Sequence, residues 1–342
     1  MLEAAAPGKL LLSGEYAVLR GAPAVCVSVD VSARVRIESR PPPSLLHDGR
    51  SARQFPFQWQ PASGLEWLAG DPGEPGSLPA AVWQTLAEHW PAASCAEGLQ
   101  ISLLSDEFSA GERGKFGLGS SAALTVALVG AMIQVLGKTA PLDELARLAC
   151  LAHRRFQSGR GSGADVLTAV FGRLLNVDSR GDLPVAEPLA WPTGLQMVVV
   201  WSGRSASTPQ MIQAFERLAG QSRAAPLMQQ LELAAGRASA AWRGGEAGEI
   251  MAASQHYAAC LQRLDEAGNI GMLTAEHRAL AGLADASGAV YKTSGAGGGD
   301  LGFALTQNPD VAQRLRGDFS AAGFQVLDRQ LAVAGLKVSG QP

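Results

Sequence analysis

Residues 115–127 read KFGLGSSAALTVA, a glycine-rich loop that runs directly into a long apolar segment. The apolar side chains of residues 122–137 lie on all sides of a helical projection, which predicts a buried helix. Gly117 and Gly119 allow the backbone to approach a ligand closely, and the two serines that follow can cap the helix. The unpaired N–H groups and positive dipole of such a helix start favour phosphate. Because the spacing matches neither the GK[ST] ending of a Walker A loop nor GxGxxG, an ordinary capped helix is the alternative.

A second candidate lies near the N-terminus, where residues 4–21 read AAAPGKLLLSGEYAVLRG. Pro7 and Gly8 predict a turn ahead of an apolar strand, and Lys9 stands at the start of that strand. A lysine in this position can direct its ammonium group into a site at the strand end. The alternative is a surface lysine beside a turn.

Two further glycine-rich stretches follow. Residues 159–172 read GRGSGADVLTAVFG, in which Asp165 precedes an apolar run. Its carboxylate could bind Mg²⁺, orient Lys9 or accept a proton, and the alternative is a helix cap. Residues 292–305 read KTSGAGGGDLGFAL, where a loop with few side chains can lie directly against a ligand. The alternative there is a flexible turn.

The composition excludes several classes of protein. The chain has 342 residues, 47% of them hydrophobic, and a net charge of −3, which predicts a folded protein without a nucleic-acid footprint. The most apolar run, residues 122–136, is shorter than the ~20 residues that a bilayer requires. The spacing of the cysteines argues against a zinc site or a disulfide framework and favours a reducing compartment; they are Cys26, Cys95, Cys150 and Cys260. We therefore expect a soluble, cytoplasmic protein.

The sequence predicts two domains. Residues 178–192 contain a glycine and three prolines, which are typical of a boundary. We place the N-terminal domain at residues 1–190 and the C-terminal domain at residues 191–342. Residues 39–80, rich in Pro, Gly and Ser, are predicted to form long loops with little regular structure.

Taken together and in order, these segments resemble the motifs of the GHMP kinases. They are the first motif (residues 6–18, APGKLLLSGEYAV), the second motif (residues 115–123, KFGLGSSAA) and the third motif (residues 294–300, SGAGGGD). The acidic turn (residues 161–165, GSGAD) lies between the second and third motifs. Within the family, the wording GEYAVL, KFGLGSSAA and SGAGGGD is most similar to that of phosphomevalonate kinases. The helix before the acidic turn ends in AHRRFQ, without the Mg²⁺-binding glutamate that mevalonate kinases carry there.

The resemblance implies a two-domain α+β fold. The N-terminal, ATP-binding domain would be similar to ribosomal protein S5 domain 2, and the C-terminal GHMP domain would be ferredoxin-like. The implied activity is a phosphotransferase reaction that uses ATP and Mg²⁺ to convert (R)-5-phosphomevalonate to 5-diphosphomevalonate, in the mevalonate route to isoprenoids. The implied partners are these small molecules, not nucleic acid or a membrane, and the chain would be a monomer or a homodimer.

The same resemblance implies a set of site residues. Lys9 and Asp165 would be catalytic, and Ser121 and Asp165 would hold Mg²⁺. The residues expected to bind ATP are Lys115, Gly117, Leu118, Gly119, Ser120, Ser121 and Ala122. The residues expected to bind the acceptor are Lys9, Ser162, Arg204, Ser207, Ser294, Gly295, Ala296 and Gly297, and Lys115 is a further candidate for the acceptor's phosphate.

Other functions of this family remain alternatives at this point. One is mevalonate kinase or another small-molecule kinase of the family, and another is diphosphomevalonate decarboxylase, which also consumes ATP. A different class of function is a sensor that binds ATP and a ligand without turnover. The presence of Lys9, Ser121 and Asp165 disfavours the sensor.

Overall fold

The computed structural model describes residues 1–49, 53–60, 64–91 and 98–341. The strands are β1 (Leu2–Ser13), β2 (Ala24–Ser39), β3 (Ser44–Asp48), β4 (Arg53–Gln60), β5 (Gly64–Trp67), β6 (Leu99–Leu104), β7 (Leu174–Asp178), β8 (Val185–Leu189), β9 (Gln196–Trp201), β10 (Val290–Thr293), β11 (Leu301–Thr306), β12 (Gln325–Val326) and β13 (Lys337–Gly340). The helices are α1 (Glu74–His89), α2 (Ser120–Val135), α3 (Leu142–Phe156), α4 (Ala164–Phe171), α5 (Thr208–Ala219), α6 (Ala225–Gly244), α7 (Ala247–Gly268), α8 (Ala275–Ala286) and α9 (Pro309–Ala321).

The first half of the chain forms a large sheet with helices packed on it. Among the described residues, the strand order is β13-β1-β2-β6-β3-β4-β5, and β7 pairs with β2 and with β8. Helix α2 packs on β1 and β2 and is flanked by α3 and α4. Its side chains are buried on all faces, as the all-round apolar pattern of its sequence predicts.

The second half forms a smaller antiparallel sheet in the order β10-β11-β9-β12. Helices α8 and α9 pack against it, because Leu280 and Phe319 share an apolar cluster with Val198 and Val200 of β9. Helices α5, α6 and α7 form a further apolar cluster, which also includes Tyr16 of the first motif.

The last strand of the chain returns to the first sheet. Strand β13 pairs antiparallel with β1, from Leu2 opposite Gly340 to Ala5 opposite Lys337. A few residues beyond position 190 therefore contribute to the N-terminal sheet. The division of the chain at residues 190 and 191 stays a prediction.

The expectation of long loops over residues 39–80 is wrong. Three strands, β3 to β5, and the start of α1 occupy the described part of this segment. Phe55 and Phe57 occupy alternate positions along β4, and both rings pack edge-on against Trp67 of β5. The apolar alternation of these strands outweighs the abundance of Pro, Gly and Ser around them.

The turn predicted at Pro7 and Gly8 is also wrong. Strand β1 runs through both residues, and its register against β2 shifts between them, which is a β-bulge. A Cβ atom on Gly8 would lie 2.6 Å from a methyl carbon of Val31, so this close approach requires glycine. Lys9 consequently lies within the strand, just after the bulge.

The cysteines that the structure describes, Cys26, Cys150 and Cys260, are free thiols in buried positions. Cys95 lies outside the described residues. No helix in the described part of the chain is long and apolar enough to cross a membrane.

Candidate active site

The second motif leaves the start of α2 open. Helix α2 begins at Ser120, and Gly119, with a φ of +78°, occupies the position before it. Among the described residues no side chain caps this end, so the predicted serine cap is wrong. Both serines lie in the first turn of the helix. The first N–H groups and the positive dipole end are therefore available to an anion.

Lys9 and Asp165 meet at Gly119. The backbone N–H of Lys9 donates to the carbonyl oxygen of Leu118 over 2.9 Å, which fixes the second motif against β1. A Cβ atom on Gly119 would lie 3.3 Å from Cγ of Lys9 and 3.7 Å from Cβ of Asp165. The predicted catalytic pair thus converges at the open helix start, although its members are far apart in the sequence.

Helix α4 presents Asp165 in its first turn. Gly163, with a φ of +75°, occupies the N-cap position of this helix, so Asp165 is not the predicted cap. Its Oδ1 accepts the N–H of Val166 over 3.0 Å, and the positive helix end stabilises its negative charge.

Cys26 of β2 carries a buried thiol. Burial raises the pKa of the Cys26 thiol to about 12, while the charge of Lys9 lowers it and the charge of Asp165 raises it.

Ser121 extends from the first turn of α2 towards α3. Its Oγ lies 3.3 Å from Nε2 of His153, which is buried. Sequence reasoning did not identify His153, because a histidine within an amphipathic helix carries no signal of its position. The contact can orient the serine hydroxyl.

The oxygen atoms near the start of α2 fit Mg²⁺. Mg²⁺ at a nucleotide takes one or two protein oxygens and completes its shell with phosphates and water. The Ser121 hydroxyl and the Asp165 carboxylate are donors of this kind. No cluster of three or more His, Cys, Asp and Glu in the described residues could hold a metal ion. Such a cation would therefore depend on phosphate oxygens as well.

The third motif lies against the first. The hydroxyl of Ser294 donates to the carbonyl of Leu11 over 2.9 Å and accepts the N–H of Leu11 over 3.0 Å. The hydroxyl of Tyr16 donates to the carbonyl of Ala296. The Ser294 side chain, a predicted acceptor contact, is thus engaged with β1. Gly295 and Ala296 are half-buried.

Asp300, to which the sequence analysis assigned no role, joins the third motif to the segment after β9. Its Oδ1 accepts the N–H of Ala206 over 2.9 Å, and its own N–H donates to the carbonyl of Arg204 over 2.7 Å. Burial raises the pKa of its carboxyl, opposed by the Ala206 N–H and by the charges of Lys9 and Lys115. Both lysines therefore act on this carboxylate.

The remaining predicted acceptor residues lie around this cluster. The N–H of Lys115 donates to Oγ of Ser205 over 2.7 Å, which ties the second motif to the segment after β9. Arg204 is exposed and lies 3.5 Å from a carboxylate oxygen of Glu276. Ser207 is exposed at the start of α5, and the Ser162 hydroxyl accepts a long, 3.4 Å hydrogen bond within the acidic turn.

Known proteins share this architecture. The family model described as GHMP kinases N terminal domain matches residues 77–173. The phosphomevalonate kinase of Streptomyces sp. (strain CL190) is 31% identical, and the match covers 88% of each chain. A mevalonate kinase of Thermococcus gammatolerans is 24% identical over 98% of this chain and 97% of its own. A solved structure of Streptococcus pneumoniae phosphomevalonate kinase in complex with phosphomevalonate and AMPPNP has a TM-score of 0.79 at 19% identity, covering 97% of this chain and 100% of that one.

This chain therefore belongs to the GHMP kinases, a family of phosphotransferases. The predicted α+β class and GHMP kinase fold are confirmed by the likeness along nearly the whole chain.

Proposed function

We propose that this protein transfers the γ-phosphoryl group of ATP to the phosphate of (R)-5-phosphomevalonate. A P–O bond of ATP breaks, a phosphate oxygen of the acceptor forms the new P–O bond, and the products are ADP and 5-diphosphomevalonate. The observation that carries the proposal is the convergence of Lys9 and Asp165 at the uncapped start of α2. The 31% identity to a phosphomevalonate kinase supports this choice of acceptor.

The second motif would hold the nucleotide. Gly117 to Ala122 present backbone N–H groups at the positive end of α2, where the phosphates of ATP would bind. Lys115 would add a positive charge beside them. With this placement, residues 1–190 would bind the nucleotide, and residues 191–342 would complete the binding site for the acceptor.

Lys9 would act where charge is transferred. Phosphoryl transfer involves little covalent chemistry for the protein, so catalysis consists of positioning and of neutralising charge on the moving group. The side chain of Lys9 passes Gly119 of the second motif, and its ammonium group would contact donor and acceptor oxygens. Mg²⁺, held by Ser121, Asp165 and the nucleotide, would supply further charge neutralisation.

Asp165 would orient rather than accept a proton. A phosphate acceptor has a second pKa of about 6 and is mostly ionised at neutral pH, so it needs no strong base. The carboxylate would then hold Lys9 in place and assist Mg²⁺. With an alcohol acceptor, the same carboxylate would have to act as a general base.

The acceptor would lie between the acidic turn, the third motif and the segment after β9. Ser162, Arg204, Ser207 and Lys115 supply hydroxyl and cationic groups for its phosphate and carboxylate. Gly295 to Gly297 supply backbone that can approach it closely, and Ser294 holds this backbone against β1.

The test is an assay of ADP release with mevalonate, 5-phosphomevalonate and 5-diphosphomevalonate side by side. We expect the highest kcat/KM with 5-phosphomevalonate. A higher value with mevalonate would refute the acceptor while leaving a kinase of this family. ATP binding without ADP release from any of the three would indicate a sensor.

A further inference from the structure

The first and third motifs are joined by buried polar contacts that the proposed reaction does not use. The ammonium group of Lys292, just before the third motif, forms an ion pair with Oε1 of Glu15. Both side chains are only 1% exposed. The adjacent Tyr16 donates its hydroxyl to the carbonyl of Ala296, within the third motif. The first motif therefore contacts the third motif and the strand before it at two points besides the Ser294 contact.

The residues of the ion pair make further contacts with their neighbours. Nζ of Lys292 also donates to the carbonyl of Thr293 over 2.7 Å, and it lies 5.5 Å from the ring centre of Tyr257. The hydroxyl of Tyr257 in turn donates to the backbone carbonyl of Glu15 over 2.8 Å. Burial lowers the pKa of Lys292, and the negative charge of Glu15 opposes this shift.

Such a pair is a costly way to stabilise a core. Desolvation of two charges can exceed their attraction, and apolar residues of similar size often stabilise a protein at least as well. A buried pair does, however, impose one geometry on the segments that carry it. Here those segments are the turn that follows β1, the strand that carries Lys9, and the end of β10, after which the third motif starts.

We propose that Tyr16 and the Lys292–Glu15 pair are positioning residues that set the third motif at its working distance from Lys9. The proposal rests on the proposed function, because it assigns the third motif to the acceptor side of that reaction. Displacement of this motif would move the acceptor relative to Lys9. It would leave the nucleotide site at the start of α2 in place, since that site makes its own contact with β1 through Leu118.

The first experiment is Tyr16→Phe. The phenyl ring keeps the packing against Phe215, whose ring centre lies 4.8 Å away, and loses only the bond to Ala296. We expect kcat/KM for 5-phosphomevalonate to fall about 3- to 10-fold, the effect of one ordinary hydrogen bond, with the KM for ATP unchanged. Amide hydrogen exchange should accelerate across residues 295–300.

The matched control is Ser239→Ala. Ser239 of α6 donates to Asn176 of β7 over 2.7 Å, which is also a buried hydrogen bond between the two halves of the chain. This hydrogen bond involves none of the motifs. We expect a similar loss of thermal stability without a change in acceptor kinetics or in exchange across residues 295–300. Equal effects of the two variants would overturn the proposal.

The second experiment separates positioning from folding. Lys292→Met and Glu15→Leu alone should lower the Tm, because each leaves a buried charge without its partner. The double variant should regain most of the Tm and still show reduced kcat/KM for the acceptor. A stable double variant with wild-type kinetics would refute a positioning role. Should the double variant not fold, the Tyr16→Phe kinetics and exchange data decide the question.

The outcomes also distinguish this proposal from the proposed function. If the wild-type protein turns over none of the three acceptors, the proposed function fails, and the exchange comparison still tests whether Tyr16 holds the third motif. If the wild-type protein is active and Tyr16→Phe changes neither kinetics nor exchange, the positioning proposal alone fails.

Discussion

The second and third motifs are both rich in glycine, but they differ in how far other segments of the chain occupy their backbone hydrogen-bonding groups. The second motif ends at a helix start that no described side chain caps. The third motif is held along its length by the first motif, by Met272, whose carbonyl accepts the N–H of Gly298, and by His277, which bonds to the carbonyl of Gly299.

The difference fits what each loop would bind under the proposed function. A site for phosphates works through unpaired N–H groups and a positive dipole, so its donors must stay available. A loop that shapes an acceptor site must be ordered before the ligand arrives, because ordering it during binding would reduce affinity. Glycine serves both loops, by exposing backbone in one and by permitting close packing in the other.

Lys9→Met tests the site at the uncapped helix start of the second motif and should have the largest effect. We expect kcat to fall about 10²- to 10³-fold, because the charge interaction of Lys9 strengthens as the phosphoryl group moves. ATP affinity, measured by calorimetric titration, should change little. Lys138→Met, at an exposed lysine after α2, is the control. Unchanged turnover in a folded Lys9→Met protein would exclude a catalytic role.

Asp165→Asn changes a residue at the same uncapped helix start and should have a smaller effect. If the carboxylate orients Lys9 and assists Mg²⁺, the loss of kcat should be about 10- to 100-fold, as for other groups that support a metal site. A higher Mg²⁺ concentration should recover part of it, and kcat should not rise steeply with pH. Rescue by high pH, without any response to Mg²⁺, would instead identify a proton acceptor and favour mevalonate as the substrate.

His277 bonds to the third motif, and this contact can be tested through the pH dependence of stability. Its Nε2 lies 2.7 Å from the carbonyl of Gly299, which can only accept, so Nε2 carries the proton. Its Nδ1, 2.8 Å from the hydroxyl of Tyr291, therefore accepts from it. Burial lowers the pKa of His277 below its ordinary value of 6.5, opposed by the Gly299 carbonyl and by Glu276.

The direction in which the free energy of unfolding changes with pH follows from proton binding. Below about pH 6.5 the unfolded chain binds a proton at His277 that the folded chain does not, so the free energy of unfolding falls as the pH falls. One such group contributes at most about 1.4 kcal/mol per pH unit. Denaturant unfolding of wild type and His277→Gln from about pH 7 to about pH 5 should show the steeper decrease for wild type. Parallel curves would show that His277 is not held in its neutral form.

Local patterns predicted much of the fold. The all-round apolar sequence of α2 predicted a buried helix, which the structure confirms. The alternation of Phe55 and Phe57 in β4 was outweighed by nearby loop-forming residues, so a region of strands was predicted as loops. Lys9 was expected after a turn, whereas Pro7 and Gly8 lie within β1, where the register against β2 shifts and Val31 of that strand approaches Gly8.

The order and wording of the motifs established the family from the sequence, because glycines, serines and acids at those spacings are properties of the chain alone. Three features depend on folding: Lys9 lies near Asp165, Ser121 contacts His153, and Lys292 forms a buried pair with Glu15. Each joins residues from separate elements, whose approach is set by strand register and helix packing. Strand register and helix packing depend on many weak contacts across the whole core, and no local pattern of residues encodes them.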